Sequence, residues 1–321
     1  MESILFLGYS NLVKTRILPI IHQAGFEEVA IAKYEGQMWD DAWQSCQVPV
    51  VRYDDYAEGL ARFQGQLVYV STVNSGHAFW ARASLTAGFH TVIDKPATST
   101  AAEAEELLSL ARSKHLLLAE STVYLCHPQM AAVRQLFNDF EDAPKLMTVH
   151  FSMPPFKMDN FRYQRSLGGG AIMDTAPYAV SVGRFFFGAK PLSADCIVTE
   201  RQPDGLDIEY SLLMQYPCGR TLIGHFGFNT EYINRVQLMG NRTNVSLDRV
   251  FTIPDTLENT IRVRHMNEES VVTVPCGNNF LLYLKQIRQR IAAGAFEDAY
   301  AALLMDAEVK DAVLDSANPK E

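Results

Sequence analysis

From Ser3 to Ala119 the chain alternates short, uniformly apolar runs with longer stretches in which apolar residues recur at helical spacing. Ser3-Ile4-Leu5-Phe6-Leu7-Gly8 is the first such run. It is apolar on both faces and so predicts a strand inside a parallel sheet. Asn11 to Ala24 predicts a helix, apolar at Leu12, Ile17, Leu18, Ile20 and Ile21 and stopped at Gly25. Pro19 lies inside that pattern and should kink or restart it, because proline has no N–H to give. Val29 to Ala32, Leu67 to Ser71, His90 to Ile93 and Leu116 to Ala119 predict further buried strands. His77 to Ala87 and Ala101 to Ser113 predict helices between them. Strands and helices in alternation predict a doubly wound α/β sheet.

Past Thr122 the pattern changes. Met147 to Met153, Ala194 to Glu200, Asp207 to Gln215, Thr221 to Phe228, Arg235 to Met239 and Ile261 to Arg264 predict strands. Many alternate apolar with polar, as Ile261-Arg262-Val263-Arg264 does, which suits an antiparallel sheet with one exposed face. A glycine-rich segment, Gly168 to Gly188, separates the first two of these strands, and helices over Asn279 to Ala293 and Phe296 to Val313 close the chain. Two domains are expected: α/β over residues 1–122, then α+β with a large, mostly antiparallel open sheet over residues 123–321. The open sheet face needs a cover, which predicts a homodimer or higher homo-oligomer formed through it.

The length of 321 residues agrees with about two domains. A net charge of −9 repels phosphate backbones, so nucleic acid is not an expected partner, while small anions remain within reach of local Lys and Arg. Cys46, Cys126, Cys196, Cys218 and Cys276 are scattered and odd in number, as expected of reduced thiols. No basic stretch followed by a cleavable apolar one opens the sequence, and no run of about 18 apolar residues occurs. The expectation is a cytoplasmic protein without a membrane span.

Gly8-Tyr9-Ser10-Asn11-Leu12-Val13 stands where a dinucleotide-binding turn belongs, between first strand and first helix. Of the pattern G-x-G-x-x-G only Gly8 matches; Ser10 and Val13 replace the second and third glycines. A plain strand–turn–helix fits these residues as well as a cofactor turn does. Ser10 is small, its hydroxyl could donate to a phosphate oxygen, and a helix N-terminus attracts anions. At the end of the second strand, where an acid would bind the ribose 2′-hydroxyl of NAD, stand Lys33 and Tyr34. Lys33 would attract a 2′-phosphate and so favours NADP; Glu35, one step beyond, keeps NAD open.

The segment from Val68 to Ala97 contains a strand, an Asn74/His77 turn, a helix, Ala87-Gly88-Phe89-His90 and then Asp94-Lys95-Pro96. Further along come Cys126-His127-Pro128-Gln129, Asn160-Phe161-Arg162, the run Gly168-Gly169-Gly170-Ala171-Ile172-Met173-Asp174, and Tyr178 four residues later. In this order and spacing they resemble the glucose–fructose oxidoreductase / inositol dehydrogenase / MocA family, with Asp94 where glutamate is more usual. The likeness covers nearly the whole chain and implies a Rossmann domain followed by a substrate-binding domain. Asp159 to Tyr163 and the stretch from Gly240 to Pro254 look most like the nucleotide-sugar 3-ketoreductase branch.

That resemblance implies where chemistry would sit. Hydride transfer belongs to the nicotinamide, and the protein positions a carbonyl and manages one proton. Tyr178 would donate the proton; Lys95 would hold the substrate oxygen and favour the ionised phenol. Asp174, one helical turn before Tyr178, would orient substrate hydroxyls or Lys95. Asn160 and Arg162 would contact substrate, and Gly8, Ser10, Asn11, Leu12, Lys33, Ser71, Thr72, Asn74, His77, Asp94 and Lys95 would line the cofactor. Each has a plainer alternative: Lys95 a surface loop residue, Tyr178 a packing residue, Asp174 a helix N-cap. No histidine has a partner at metal-ligand spacing, so no metal is expected. The implied activity is reduction of a keto nucleotide-sugar with NADP, or NAD. A free-sugar or polyol dehydrogenase is the alternative within the enzymes. A non-catalytic sensor of cofactor or sugar is the alternative outside them, suggested by the degraded glycine turn.

Overall fold

In the computed structural model, which describes residues 2–318, the apolar runs of the N-terminal half pair into one parallel sheet. Its strands are β1 (Ser3–Leu7), β2 (Glu28–Ala32), β3 (Val50–Tyr53), β4 (Leu67–Val70), β5 (His90–Ile93) and β6 (Leu118–Glu120), in the order β3-β2-β1-β4-β5-β6. The order reverses beside β1, as in a doubly wound sheet that opens a crevice at the strands' carboxyl ends. All five residues of β1 are buried, which explains its two apolar faces. β3 was not expected from the pattern: as an edge strand it buries only Tyr53. Helices α1 (Tyr56–Arg62), α2 (His77–Thr86) and α3 (Ala101–Ser113) connect the strands. Thr100 and Glu103 cap α3 reciprocally.

The predicted helix after β1 is not regular. Its chain is π-wound over Val13–Ile17, with the Leu18 N–H bonded to the Val13 carbonyl, and tightens to 3-10 over Leu18–Ile20 at Pro19. The restart expected at Pro19 is therefore a change of winding.

The rest of the chain supplies α4 (Pro128–Asp139), β7 (Leu146–Ser152), α5 (Ala171–Phe187), β8 (Ser193–Arg201), β9 (Asp207–Tyr216), β10 (Arg220–Gly227), β11 (Ile233–Met239), β12 (Thr243–Asp248), β13 (Asn259–His265), β14 (Glu268–Val274), α6 (Asn279–Ala293) and α7 (Glu297–Ala317). The eight strands form one sheet, β14-β13-β12-β11-β7-β10-β9-β8, parallel only between β7 and β10. α5 packs on β9 and β10, and α4 on β13 and β14. Leu222, Gly224 and Phe226 of β10 point into the core, while Thr221, Ile223 and His225 on the opposite face keep exposure.

These elements divide into two units. One comprises the chain up to Ser121 together with Phe280–Leu304; the other comprises Thr122–Asn279 and the chain from Met305 onward. This differs from the expected assignment of all of 123–321 to the second domain, whose last residues, 319–321, lie outside the described residues, as does Met1. The return has a physical cause. Tyr283 and Tyr300 donate their hydroxyls to the carbonyls of Glu120 and Leu116, and Arg288 donates to the Ala24 carbonyl at 2.6 Å and pairs with Glu2. From Met305 on, α7 belongs to the second unit, where Asp306 takes two hydrogen bonds from Arg184 at 2.7 and 2.8 Å. Among the described residues no helix is long and apolar enough to cross a membrane.

Candidate active site

In the first unit β1 runs into Gly8, whose φ of +123° and tight surroundings admit no side chain: a Cβ there would stand 2.1 Å from the Ser71 carbonyl oxygen. The Gly8 N–H donates to the Ala32 carbonyl at 2.9 Å, tying the turn to the end of β2. Ser10 Oγ accepts the Val13 N–H at 3.1 Å and shares a hydrogen bond with Ser71 Oγ at 2.8 Å. Ser71 gives its proton to Asp94 at 2.5 Å, which leaves its oxygen free to accept from Ser10. In this arrangement the Ser10 hydroxyl is turned toward Ser71. Asn11 is exposed and Leu12 half-buried at the helix start, and Val13 is fully buried.

Asp94 also accepts the Tyr69 hydroxyl at 2.6 Å, and Tyr69 meets Ser121 at 2.6 Å. A chain of hydrogen bonds thus joins Ser10, Ser71, Asp94, Tyr69 and Ser121 across β1, β4, β5 and β6. Burial pushes the Asp94 carboxyl up, against the pull of the Ser71 and Tyr69 donors. Lys95 follows, joined to Pro96 by a cis peptide, and beyond them the Ala97 N–H donates to Glu120 at 2.7 Å. His77 is 1% exposed, with Nδ1 2.7 Å from the Pro96 carbonyl and Nε2 3.1 Å from that of Thr72. Its ring bridges the turn carrying Thr72 and Asn74 to the turn carrying Lys95. Burial holds its pKa below the usual value.

Lys33 is buried at the end of β2, not solvated. Its Nζ lies 3.0 Å from Asp54 Oδ1, and the Trp39 indole N–H reaches the same oxygen at 2.9 Å. The first unit therefore offers what a dinucleotide needs: a glycine turn after the first strand, a helix start behind it, and a cation after the second strand.

In the second unit the glycine run ends at the start of α5. A Cβ on Gly169 would stand 2.6 Å from the Arg162 carbonyl oxygen, and the Gly170 N–H donates to that oxygen at 2.9 Å. Asn160 accepts the Arg162 N–H at 3.0 Å and so shapes the turn before it. Arg162 grips Asp174 with Nε at 2.8 Å and Nη2 at 3.4 Å. The structure thus brings Asn160, Arg162 and Asp174 together, with Tyr178 one turn further along α5. The Tyr178 ring packs against Phe251 at 4.9 Å, Phe151 at 5.0 Å and Tyr124 at 5.8 Å between centroids.

Asp174 is not the N-cap of α5. Asp207, on β9, accepts the Ile172 N–H at 2.6 Å in that role, and burial raises its pKa against this bond. Sequence reasoning missed Asp207, because a cap borrowed from a distant strand leaves no local pattern. It also missed the aromatic seat of Tyr178. Phe251 lies inside the stretch that carried the resemblance, but nothing in its spacing marked it as a neighbour. His127 accepts the Gln129 N–H at 3.2 Å and opens α4, a structural turn.

A doubly wound sheet with a glycine turn after its first strand, joined to a second domain in which Arg162 pairs with a buried Asp174 one turn from the aromatic-seated Tyr178, suits a nicotinamide-dependent oxidoreductase. Residues 3–122 match the model described as "Oxidoreductase family, NAD-binding Rossmann fold", and residues 143–246 match the "GFO/IDH/MocA C-terminal domain". The chain belongs to the Gfo/Idh/MocA family of oxidoreductases. It is 30% identical over 244 residues, covering 76% of this chain and 74% of the relative, to a dTDP-3,4-didehydro-2,6-dideoxy-alpha-D-glucose 3-reductase of Saccharopolyspora spinosa. It is 28% identical over 251 residues, covering 78% of this chain and 77% of the relative, to a D-xylose 1-dehydrogenase (NADP(+)) of Haloferax volcanii. In structure it is similar to a 3-ketoreductase from Actinomadura kijaniata solved with NADP and TDP-benzene, with a TM-score of 0.90, 26% identity and 98% of each chain covered. All three are named as enzymes, and none favours the non-catalytic sensor.

Proposed function

We propose that the protein uses NADPH to reduce a keto group on a nucleotide-linked sugar. The observation that carries this reading is the likeness, over about three quarters of the chain, to a 3-reductase of a dTDP-sugar. The NADP of the structural relative and the buried Lys33 at the end of β2 both favour NADP over NAD.

When bound, NADPH would supply the hydride that the carbonyl carbon takes up. The turn from Gly8 through Ser10 and Asn11 to Leu12 would hold the pyrophosphate, and Lys33 the adenosine end. Ser71, Thr72, Asn74, His77 and Asp94 would line the remaining length. Lys95 would hold the carbonyl oxygen, where negative charge grows, and the Tyr178 phenol would transfer its proton to that oxygen. Arg162 holds the Asp174 carboxylate in place, so that it can accept from a sugar hydroxyl while Asn160 shapes the turn before it. The protein works in the cytoplasm as a homodimer formed through the open sheet face, which bears Ile223, His225 and Arg235. A second reading, oxidation of a free sugar or polyol, has the xylose dehydrogenase relative in its favour and uses the same Lys95 and Tyr178 in reverse.

The test follows NADPH consumption with dTDP-linked 3-keto sugars and, in the other direction, NADP reduction with free aldoses. Tyr178→Phe and Lys95→Met should each cut kcat by roughly 10² to 10⁴, and Tyr178→Phe should leave NADPH affinity within a few fold. Turnover of free aldoses alone would move the assignment to the second reading. Unimpaired turnover by both variants would remove the proposed proton path.

A further inference from the structure

Lys33 follows Ala32, whose carbonyl holds the Gly8 turn, so its ammonium sits where dinucleotide sites read the 2′ position of the adenosine ribose. Only 7% of Lys33 is exposed, an unusual setting for an ammonium and one that demands an anion. The anion it has is Asp54, on the residue after β3, whose side chain is 78% exposed. The oxygen that Lys33 meets at 3.0 Å is also the acceptor of the Trp39 indole N–H at 2.9 Å. Arg52, exposed on β3, lays its guanidinium 5.4 Å from the Trp39 ring centroid and 4.4 Å from that of Trp43. The Trp39 hydrogen bond, then Lys33 and more weakly Arg52, hold the Asp54 carboxyl below its usual range. An ammonium and an indole N–H thus meet on one carboxylate that faces water, with the Arg52 guanidinium held close by over the Trp39 ring. That setting suits a phosphate monoester better than a carboxylate, because a dianion with three terminal oxygens can take the ammonium and the indole N–H and still meet the nearby guanidinium.

We propose that Asp54 is a displaceable internal anion in the seat of the NADP 2′-phosphate. While the seat is free of cofactor, Asp54 neutralises the buried Lys33. When NADP binds, the 2′-phosphate takes over Lys33 Nζ and the Trp39 N–H, Arg52 covers it from the solvent side, and the Asp54 carboxylate turns into water. The Asp54 end of the pair is open to water, so its carboxylate is resolvated on leaving while the phosphate takes over the charge of the buried Lys33. Asp54 then sets the ratio of NADP to NAD binding: its charge opposes the phosphate, and in NAD it can accept from the 2′-hydroxyl instead. The proposal rests on the NADP reading above and goes beyond it by naming what the phosphate must displace.

Calorimetry with adenosine 2′,5′-bisphosphate and 5′-AMP isolates the seat from the nicotinamide, and NADPH and NADH repeat the comparison with whole cofactors. The native protein should prefer the bisphosphate. Asp54→Asn should strengthen bisphosphate and NADPH binding by roughly three- to tenfold and leave 5′-AMP and NADH unchanged or weaker. Arg52→Ala and Lys33→Met should weaken the bisphosphate by roughly tenfold or more, with 5′-AMP unaffected. Both Asp54 and Arg52 are exposed, so these variants keep the fold even if Lys33→Met does not. A native preference for the bisphosphate that Asp54→Asn leaves unchanged or lowers would overturn the displacement and leave the NADP reading standing. No native preference for the bisphosphate over 5′-AMP would overturn both.

Discussion

A methyl group on Gly8 would collide with the Ser71 carbonyl oxygen, and the positive φ there already excludes most side chains. This glycine serves the close approach of β1's turn to β4, whatever is bound. Ser10, in contrast, does a job that a second glycine could not: it caps the Val13 N–H and passes its proton to Ser71 and so toward Asp94. Ser10 and Asp94, the two residues that depart from the usual pattern, are thus members of one hydrogen-bond chain through Ser71. Gly8→Ala should therefore lower the melting temperature and abolish measurable NADPH binding, read by thermal unfolding and nicotinamide fluorescence. Retention of both would mean that the β1 turn is free to move away from Ser71.

At the scale of elements, α5 carries the proposed Asp174 and Tyr178, and its N-terminus is organised from outside. Asp207 of β9 caps it, Gly170 leaves room for that carboxylate, and Arg162 fixes Asp174 in the first turn. A Cβ on Gly170 would approach Asp207 Oδ1 to 2.9 Å, so glycine and cap belong together. Asp207→Ala should cost about 0.5–2 kcal/mol in unfolding free energy, as lost caps do. It should also disturb Asp174 and Tyr178, raising KM and lowering kcat together, because they stand on the turn it anchors. A stability loss with unchanged kinetics would show that α5 holds its register without the cap. The irregular first helix shows the same dependence on surroundings: its apolar positions were legible, but its π winding was not, since period alone does not tell five-residue from four-residue hydrogen bonding.

At the scale of the molecule, burial acts in one direction on several histidines. His77, His90, His127 and His150 all have their pKa lowered by burial, the last also by the charges of His225 and Arg235. The unfolded chain protonates these rings near pH 6.5, before the folded one does, so unfolding takes up protons and stability falls as pH drops through 6.5. Above about pH 7.5 both states hold the rings neutral and the contribution is constant. Asp94, Asp207 and Asp306 have raised pKa values and act in the opposite sense, each stabilising as pH falls through its folded value toward 3.8. Thermal unfolding between pH 7.5 and 5.5 should therefore show a falling melting temperature, and His77→Gln should flatten part of the slope. A flat or rising profile would show that the buried carboxyls dominate.

The sequence by itself determined the alternation of strands and helices up to Ala119, the change to alternating strands past Thr122, and the placing of Lys95 beyond a strand end and of Tyr178 one turn after Asp174. These follow from spacings of two to four residues, which the backbone imposes locally. The ordered motifs also carried the family. What only the tertiary structure decided joins residues far apart in the chain: the return of Phe280–Leu304 to the first unit, the Asp207 cap, the aromatic seat of Tyr178, the Ser10–Ser71–Asp94 link, and the Lys33–Asp54 pair. The reason is physical. Which distant carboxylate meets a given N–H or ammonium depends on the order in which strands pair and on how helices pack over them, and no local periodicity encodes that order.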